Sequence, residues 1–298
     1  MVLGLGTSMT SGAVLDSGYV ATASWDFDGT DDYINMGNSS TIKVTATDTS
    51  ESEGITVSAW VKNDTWGGVT AYNTIVSCYE FAYGGKGWFT QFYGNAVAWN
   101  LDTAAGTKGL NTGWRAFALA DGSSGSPARA HWRESGWHHV TMTFDGRHLR
   151  TYVDGGPQNS TDVHDFGSDD NAMQYGIDSG NVDLFIGADP GTIQGTNGTA
   201  PWISGTSSAS NYWNGLINEV AVWNKALDAD AISDIFDAVD VDGAVLDLTK
   251  NNGNYTNKDD LIGLWRASEV DGTTAVDATG NNNGSIKNSL GTSSEVPS

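Results

Sequence analysis

The feature that most constrains this chain is a period-two alternation of apolar and polar residues that recurs along most of its length, bounded each time by turn-forming residues. It is clearest in GITVSAWVK (54–62), NTIVSCYEF (73–81), WHHVTMTFDG (137–146), HLRTYVDGG (148–156), VDLFIGA (182–188) and GLINEVAVWN (215–224). Strict alternation sends successive side chains to opposite faces, which is the pattern of half-buried antiparallel strands. Asp145-Gly146 supplies the positive φ angles of a tight hairpin turn, so 137–156 reads as a hairpin followed by a second Asp-Gly turn. Composition agrees: 38 Gly and 12 Trp against only 14 Lys plus Arg describe short strands, many turns and aromatic packing.

One segment departs from this period. In NKALDADAISDIFDAVD, Asp228 is placed to cap a helix and Asp230 to complement its dipole, while Ile232, Ile235, Phe236 and Val239 share a face. The expected helix, about 228–239, would cover the β structure. LIGLWRASE (261–269) reads as a strand that needs a sheet to join. The stretches 102–130, 156–180 and 189–212 read as long loops. The expected organisation is an N-terminal arm (1–22), a β domain (23–240) and a C-terminal extension (241–298) that returns strands to the same sandwich. The arm lacks a basic start and is interrupted by Asp16, so it reads as an arm and not a secretion signal.

The formal charge is −22, and 29 of the 36 acidic residues are Asp, a turn former. So negative a surface repels phosphate backbones, which argues against nucleic-acid binding. No run of 18 apolar residues occurs. The lone cysteine, Cys78, lies in an apolar strand pattern and reads as a buried thiol.

The segments FDGTDDYINMG, ITVSAWVK, WHHVTMTFDGRHLRTYVDG, LFIGAD and WNGLINEVAVWNKALDADAI, in this order, resemble the laminin G-like, concanavalin A-like jelly-roll family. LIGLWRASEVDGTTAVDATGNNNGSI is similar to an element that usually begins such domains, which implies a rearranged chain in which 261–287 supply those strands. The resemblance implies an all-β, two-sheet antiparallel jelly roll, often a calcium ion, and frequently carbohydrate or protein binding. Such domains occur in secreted bacterial proteins, extracellular matrix proteins and virion proteins of tailed phages.

Candidate chemistry follows from the residues. Asp28, Asp31 and Asp32 offer several oxygens within five residues, which suits calcium; the alternative is that they cap their own turn. Glu219 alternates with Ile217, Ala221 and Trp223, so it needs either an internal partner or a ligand. Trp66, Trp114, Trp202 and Trp213 lie in loop contexts where an exposed ring would stack on a sugar; Trp60, Trp88, Trp137 and Trp223 lie in strand patterns and read as core. His138 shares its face with Val140, Met142 and Phe144, and reads as a hydrogen-bonded core residue. His139 takes the other face.

Family members that cleave β-glucans carry Glu-x-Asp with a second Glu on one strand. Glu269-Val270-Asp271 lacks that second Glu and reads as a turn. Enzymatic activity is therefore not expected. The expected function is that of a structural virion protein of a tailed phage, in several copies, joined to other virion proteins through residues 1–22. The alternatives are a carbohydrate-binding module or adhesin on a secreted or cell-surface protein, and a glycoside hydrolase.

Overall fold

A computed structural model of the chain describes residues 18–39, 41, 54–64, 72–80, 86–93, 96–102, 136–145, 148–157, 163–165, 183–189, 211–239 and 243–298. The strands in chain order are β1 (Gly18–Val20), β2 (Ser24–Asp28), β3 (Tyr33–Asn35), β4 (Ile55–Asn63), β5 (Tyr72–Glu80), β6 (Lys86–Tyr93), β7 (Ala96–Asp102), β8 (His138–Phe144) and β9 (His148–Val153). They continue as β10 (Gly156–Pro157), β11 (Val163–Asp165), β12 (Phe185–Ile186), β13 (Asn214–Trp223), β14 (Ala244–Leu246), β15 (Leu261–Asp271), β16 (Thr274–Asp277), β17 (Gly284–Lys287) and β18 (Gly291–Ser293). The helix α1 spans Ala229–Asp237. β6 and β7, which carry no clean alternation, escaped the sequence reading.

Sixteen strands form one antiparallel ladder, β10-β9-β8-β4-β13-β15-β16-β17-β3-β12-β5-β6-β7, with β11 on β9, β2 on β13 and β18 on β2. The ladder curls at β15, whose register slips against β16 between Trp265 and Val270, so it closes into the two layers of a jelly-roll sandwich. The main core lies between the layers. It takes Ile55, Val57, Ala59 and Val61 of β4 and Val140, Met142 and Phe144 of β8 from one side, and Ile34, Val76, Cys78 and Trp88 from the other. Every second residue of β4 enters this core, as alternation requires.

The alternate residues of the first layer face a second apolar cluster beneath α1. Tyr152, Ala221, Trp223, Ile232, Ile235, Leu246, Leu248 and Tyr255 meet there, and Trp60 stacks on Phe236 with ring centroids 5.7 Å apart. The helix starts where the sequence predicts: Asp228 accepts a hydrogen bond from the Ala231 N–H at 2.8 Å.

The C-terminal strands are integral to both layers. β15 pairs with β13, β17 with β3 and β18 with β2. Between them, Asp277 organises the Gly-Asn turn. Its carboxylate accepts from the N–H groups of Leu264, Thr279, Asn281 and Asn282 and from the Thr279 hydroxyl. At the other end, Gly18–Val20, within the expected N-terminal arm, forms an ordered strand paired with β14.

Candidate functional site

The turn that joins β2 to β3 gathers the acidic residues singled out in the sequence. Gly29 sits at φ +75°, which the turn needs and which side-chain-bearing residues rarely adopt. Asp28 Oδ1 accepts from the Thr30 N–H at 2.7 Å and from the Asp31 N–H at 3.4 Å, while Asp32 Oδ2 accepts from the Asp28 N–H at 3.3 Å. Asp28 and Asp32 therefore do cap their own turn, whereas Asp31 contributes only its backbone N–H. The same geometry brings one oxygen of each of Asp28, Asp31 and Asp32 within 4.8 Å of one another.

Asp28 and Asp31 are exposed and Asp32 is buried. Burial raises the Asp32 carboxyl above its usual range; the Asp28 N–H opposes this, and the neighbouring charges of Asp28, Asp31 and Asp26 add to the rise. Among the described residues the second oxygen of Asp28 and of Asp32, and both of Asp31, accept no hydrogen bond. This all-oxygen donor set with surplus negative charge fits a hard cation such as calcium, which takes six to eight oxygens.

Other elements converge on the same rim. Asn214 opens β13 opposite Asp28, so close that a Cβ on Gly29 would lie 2.8 Å from the Asn214 Cβ. Asn288 donates to the Asp31 carbonyl at 2.6 Å. Tyr33 packs on Phe185 with centroids 5.9 Å apart, and both Tyr33 and Tyr212 are half-buried. Burial, followed by the Asp31 charge, raises the Tyr33 hydroxyl; burial, then Tyr33 and Asp31, raises that of Tyr212. The rim thus sets two part-exposed tyrosine rings beside three converging carboxylates. Tyr212 carries no sequence signal, because its place beside Asp31 depends on a segment distant from the β2–β3 turn in the chain.

The other predicted site residues behave differently. Trp114 and Trp202 lie outside the described residues. Trp213 is fully buried in the main core, since its segment runs straight into β13, so the expectation of an exposed sugar platform there is overturned. Trp60, Trp88 and Trp223 are buried as expected. His138 is buried and its Nδ1 lies 2.9 Å from Asp154 Oδ2. His139 faces the second cluster, 5.0 Å from the Trp60 ring. Burial, opposed by the Asp154 charge, pushes it down to about 4, so it is a neutral imidazole at physiological pH.

Glu219 has an internal partner. It occupies a bulge in β13, where the register against β4 slips between Asn218 and Ala221, with φ +48°. The extra residue breaks the alternation. Ile217 faces the main core while Ala221 and Trp223 face the second cluster, which corrects the shared face read from sequence. Glu219 Oε2 accepts from Arg266 Nε at 3.1 Å, and both side chains are buried. Arg266 also donates to Glu269 at 3.2 Å and Asp247 at 3.3 Å, and the Tyr19 ring covers it at 3.8 Å. Glu219 is thus a structural ion-pair residue under the N-terminal strand and not part of the rim.

Burial pushes the Glu219 carboxyl up to about 7 despite the Arg266 charge. Burial also opposes the charge on Asp247, but hydrogen bonds from Lys250 and Thr249 and the Arg266 charge hold it at about 2. Glu269 and Asp271 lie at the end of β15 and not in a turn, and Glu269 is tied to Arg266, so the paired-carboxylate geometry of a glycosidase is not assembled there.

A family model described as the concanavalin A-like lectin/glucanases superfamily, laminin G type, matches residues 28–191. No curated protein matches the chain. Among solved structures, a candidate carbohydrate-binding protein from Bacteroides ovatus is similar at 17% identity with TM-score 0.53, over 92% of this chain; this chain spans 60% of that protein. A heptameric SAP-like pentraxin from Limulus polyphemus aligns at 13% identity and TM-score 0.47, over 79% of this chain and 92% of that one. The mouse laminin α1 chain domains LG4-5 align at 12% identity and TM-score 0.38, over 70% and 44%.

Proposed function

From the premise that the chain belongs to the concanavalin A-like lectin/glucanase superfamily, we propose that it is a non-enzymatic binding module that takes a carbohydrate at the rim around the β2–β3 turn. The observation that carries this reading is the convergence of Asp28, Asp31 and Asp32 within 4.8 Å beside the part-exposed rings of Tyr33 and Tyr212. Sugars are recognised by this combination: aromatic faces stack on C–H groups, and oxygens fixed by a turn, or a cation they hold, accept or coordinate hydroxyls. Calcium is the cation that fits, with Asp28, Asp31 and Asp32 as its protein ligands. The carbohydrate-binding description of the Bacteroides ovatus protein is consistent with this reading.

Glycan-array binding by the intact chain, with calcium and with chelator, tests it. The expected result is binding that falls at least about tenfold, or roughly 1.4 kcal/mol, in Asp31→Asn and Tyr212→Ala, and a calcium-dependent rise in Tm that is lost in Asp31→Asn. Glycan binding that survives both substitutions would place the site elsewhere, and a Tm indifferent to calcium would remove the metal.

The location we propose for such a module is a tailed-phage particle, in several copies, with residues 1–17 joining it to neighbouring virion proteins. A formal charge of −22 supports it, because strong like charge keeps densely displayed copies apart and soluble. Mass spectrometry of purified particles decides between this and a secreted or cell-surface protein. Absence from the particles would sink it.

A further inference from the structure

The bulge in β13 borders a small polar pocket between the first sheet and its cover. A cavity of about 10 Å³ lies between the first sheet and its cover, lined by Ser58 and Trp60 of β4, His139 of β8, Glu219 of the bulge, Ile235 of α1 and Leu246 of β14, among others. Two of its lining residues carry a buried side-chain atom, Glu219 Oε1 and His139 Nδ1, that makes no hydrogen bond among the described residues. Their residues are 3% and 1% exposed, so bulk solvent does not satisfy them. An orphan of this kind forfeits its hydration without replacement, and buried polar groups in folded proteins are rarely left so.

We propose that this cavity binds one water molecule, which bridges Glu219 Oε1 and His139 Nδ1. The volume is that of a single water-sized sphere, and the polar walls supply the two or more partners that a buried water requires. Ser58, also buried, is the third polar side chain on the wall. The Arg266 guanidinium is shared among Glu219, Asp247 and Glu269 and reaches Glu219 through Oε2, which leaves Oε1 to be met by a water. The neutral imidazole accepts the other hydrogen at Nδ1. A water there joins the Arg266 cluster, which sits under β1, to the β4–β8 layer.

A high-resolution crystal structure of the intact chain at neutral pH tests the site. The expected result is a density peak refining as water within hydrogen-bond distance of both atoms. An empty cavity, a direct bond from Glu219 Oε1 to His139 or Ser58 with the cavity collapsed, or a peak that refines as a metal ion would each overturn the proposal. An independent readout is water oxygen-17 relaxation dispersion on wild type and Ser58→Val, whose added methyl fills the space. The variant is expected to lose one long-lived internal water; an unchanged count in a folded Ser58→Val protein would also overturn it.

Discussion

Glu219 and His139 pull the stability of this protein in opposite directions with pH. Glu219 has its folded pKa raised from an ordinary carboxylate value to about 7. Its folded form holds a proton that the unfolded chain releases, so its contribution is largest at acid pH and is lost as pH rises through about 7. His139 is lowered from 6.5 to about 4. The unfolded chain takes up a proton that the folded chain refuses, so its contribution is present above about 6.5 and lost as pH falls towards 4. The two windows overlap, and in the wild type they offset each other. Between about pH 4.5 and 6.5, denaturant unfolding of Glu219→Gln is therefore expected to show stability rising with pH. In His139→Gln it is expected to fall. Parallel slopes in the two variants would contradict the assignment. A third substitution, Arg266→Met, strands Glu219 in the interior and is expected to cost about 3–5 kcal/mol.

At the scale of elements, Asn218 governs how β13 changes neighbours. The first half of β13 pairs with β2 and the second with β15, on the same edge. At the junction Asn218 donates to the Ala23 carbonyl at 2.9 Å and lies 3.2 Å from the Ser24 hydroxyl, while its oxygen accepts from the N–H groups of Glu219 at 2.9 Å and Ala267 at 3.4 Å. One amide thereby satisfies the backbone of three strands where no ladder bond can. Asn218→Ala leaves two buried N–H groups and a carbonyl unpaired, and a loss of about 2–4 kcal/mol is expected in urea unfolding. By contrast Asp228→Ala removes only the helix cap, and about 1 kcal/mol is expected. A similar close fit holds Gly187, at φ +81°, where an added Cβ would lie 2.1 Å from the Phe27 ring.

For the whole molecule, β1 pairs with β14 and the last strand, β18, with β2, and β1 lies over the Arg266 cluster. Tyr19 covers Arg266 at 3.8 Å and burial pushes its hydroxyl up to about 12. Removal of residues 1–17 is expected to leave the Tm of the domain unchanged. Removal of residues 1–22 deletes β1, exposes Arg266, and is expected to lower stability by about 2 kcal/mol through the lost cation–π contact; differential scanning calorimetry on the two truncations separates them. Equal Tm values would mean that β1 adds nothing to the sandwich.

Sequence alone marked the long alternating strands, because alternation with period two records which face of each strand meets the core. β4, β8, β9 and β13 could be read from it to within a few residues, and the Asp154-Gly155 turn and the Asp228 cap followed from backbone preferences that each residue carries by itself; Gly146 of the other Asp-Gly turn lies outside the described residues. The acidic turn was equally plain, since all of its oxygens come from one short segment. What only the tertiary structure decided depends on groups distant in sequence. No local pattern announces that Glu219 meets Arg266, 47 residues away, that a bulge inverts the faces of β13, that Trp213 is swallowed by the core, or that Tyr212 arrives beside Asp31 and Asn214 opposite Asp28. Burial and pairing are properties of the closed sandwich, and alternation fixes a side chain's face without saying what waits on the other side.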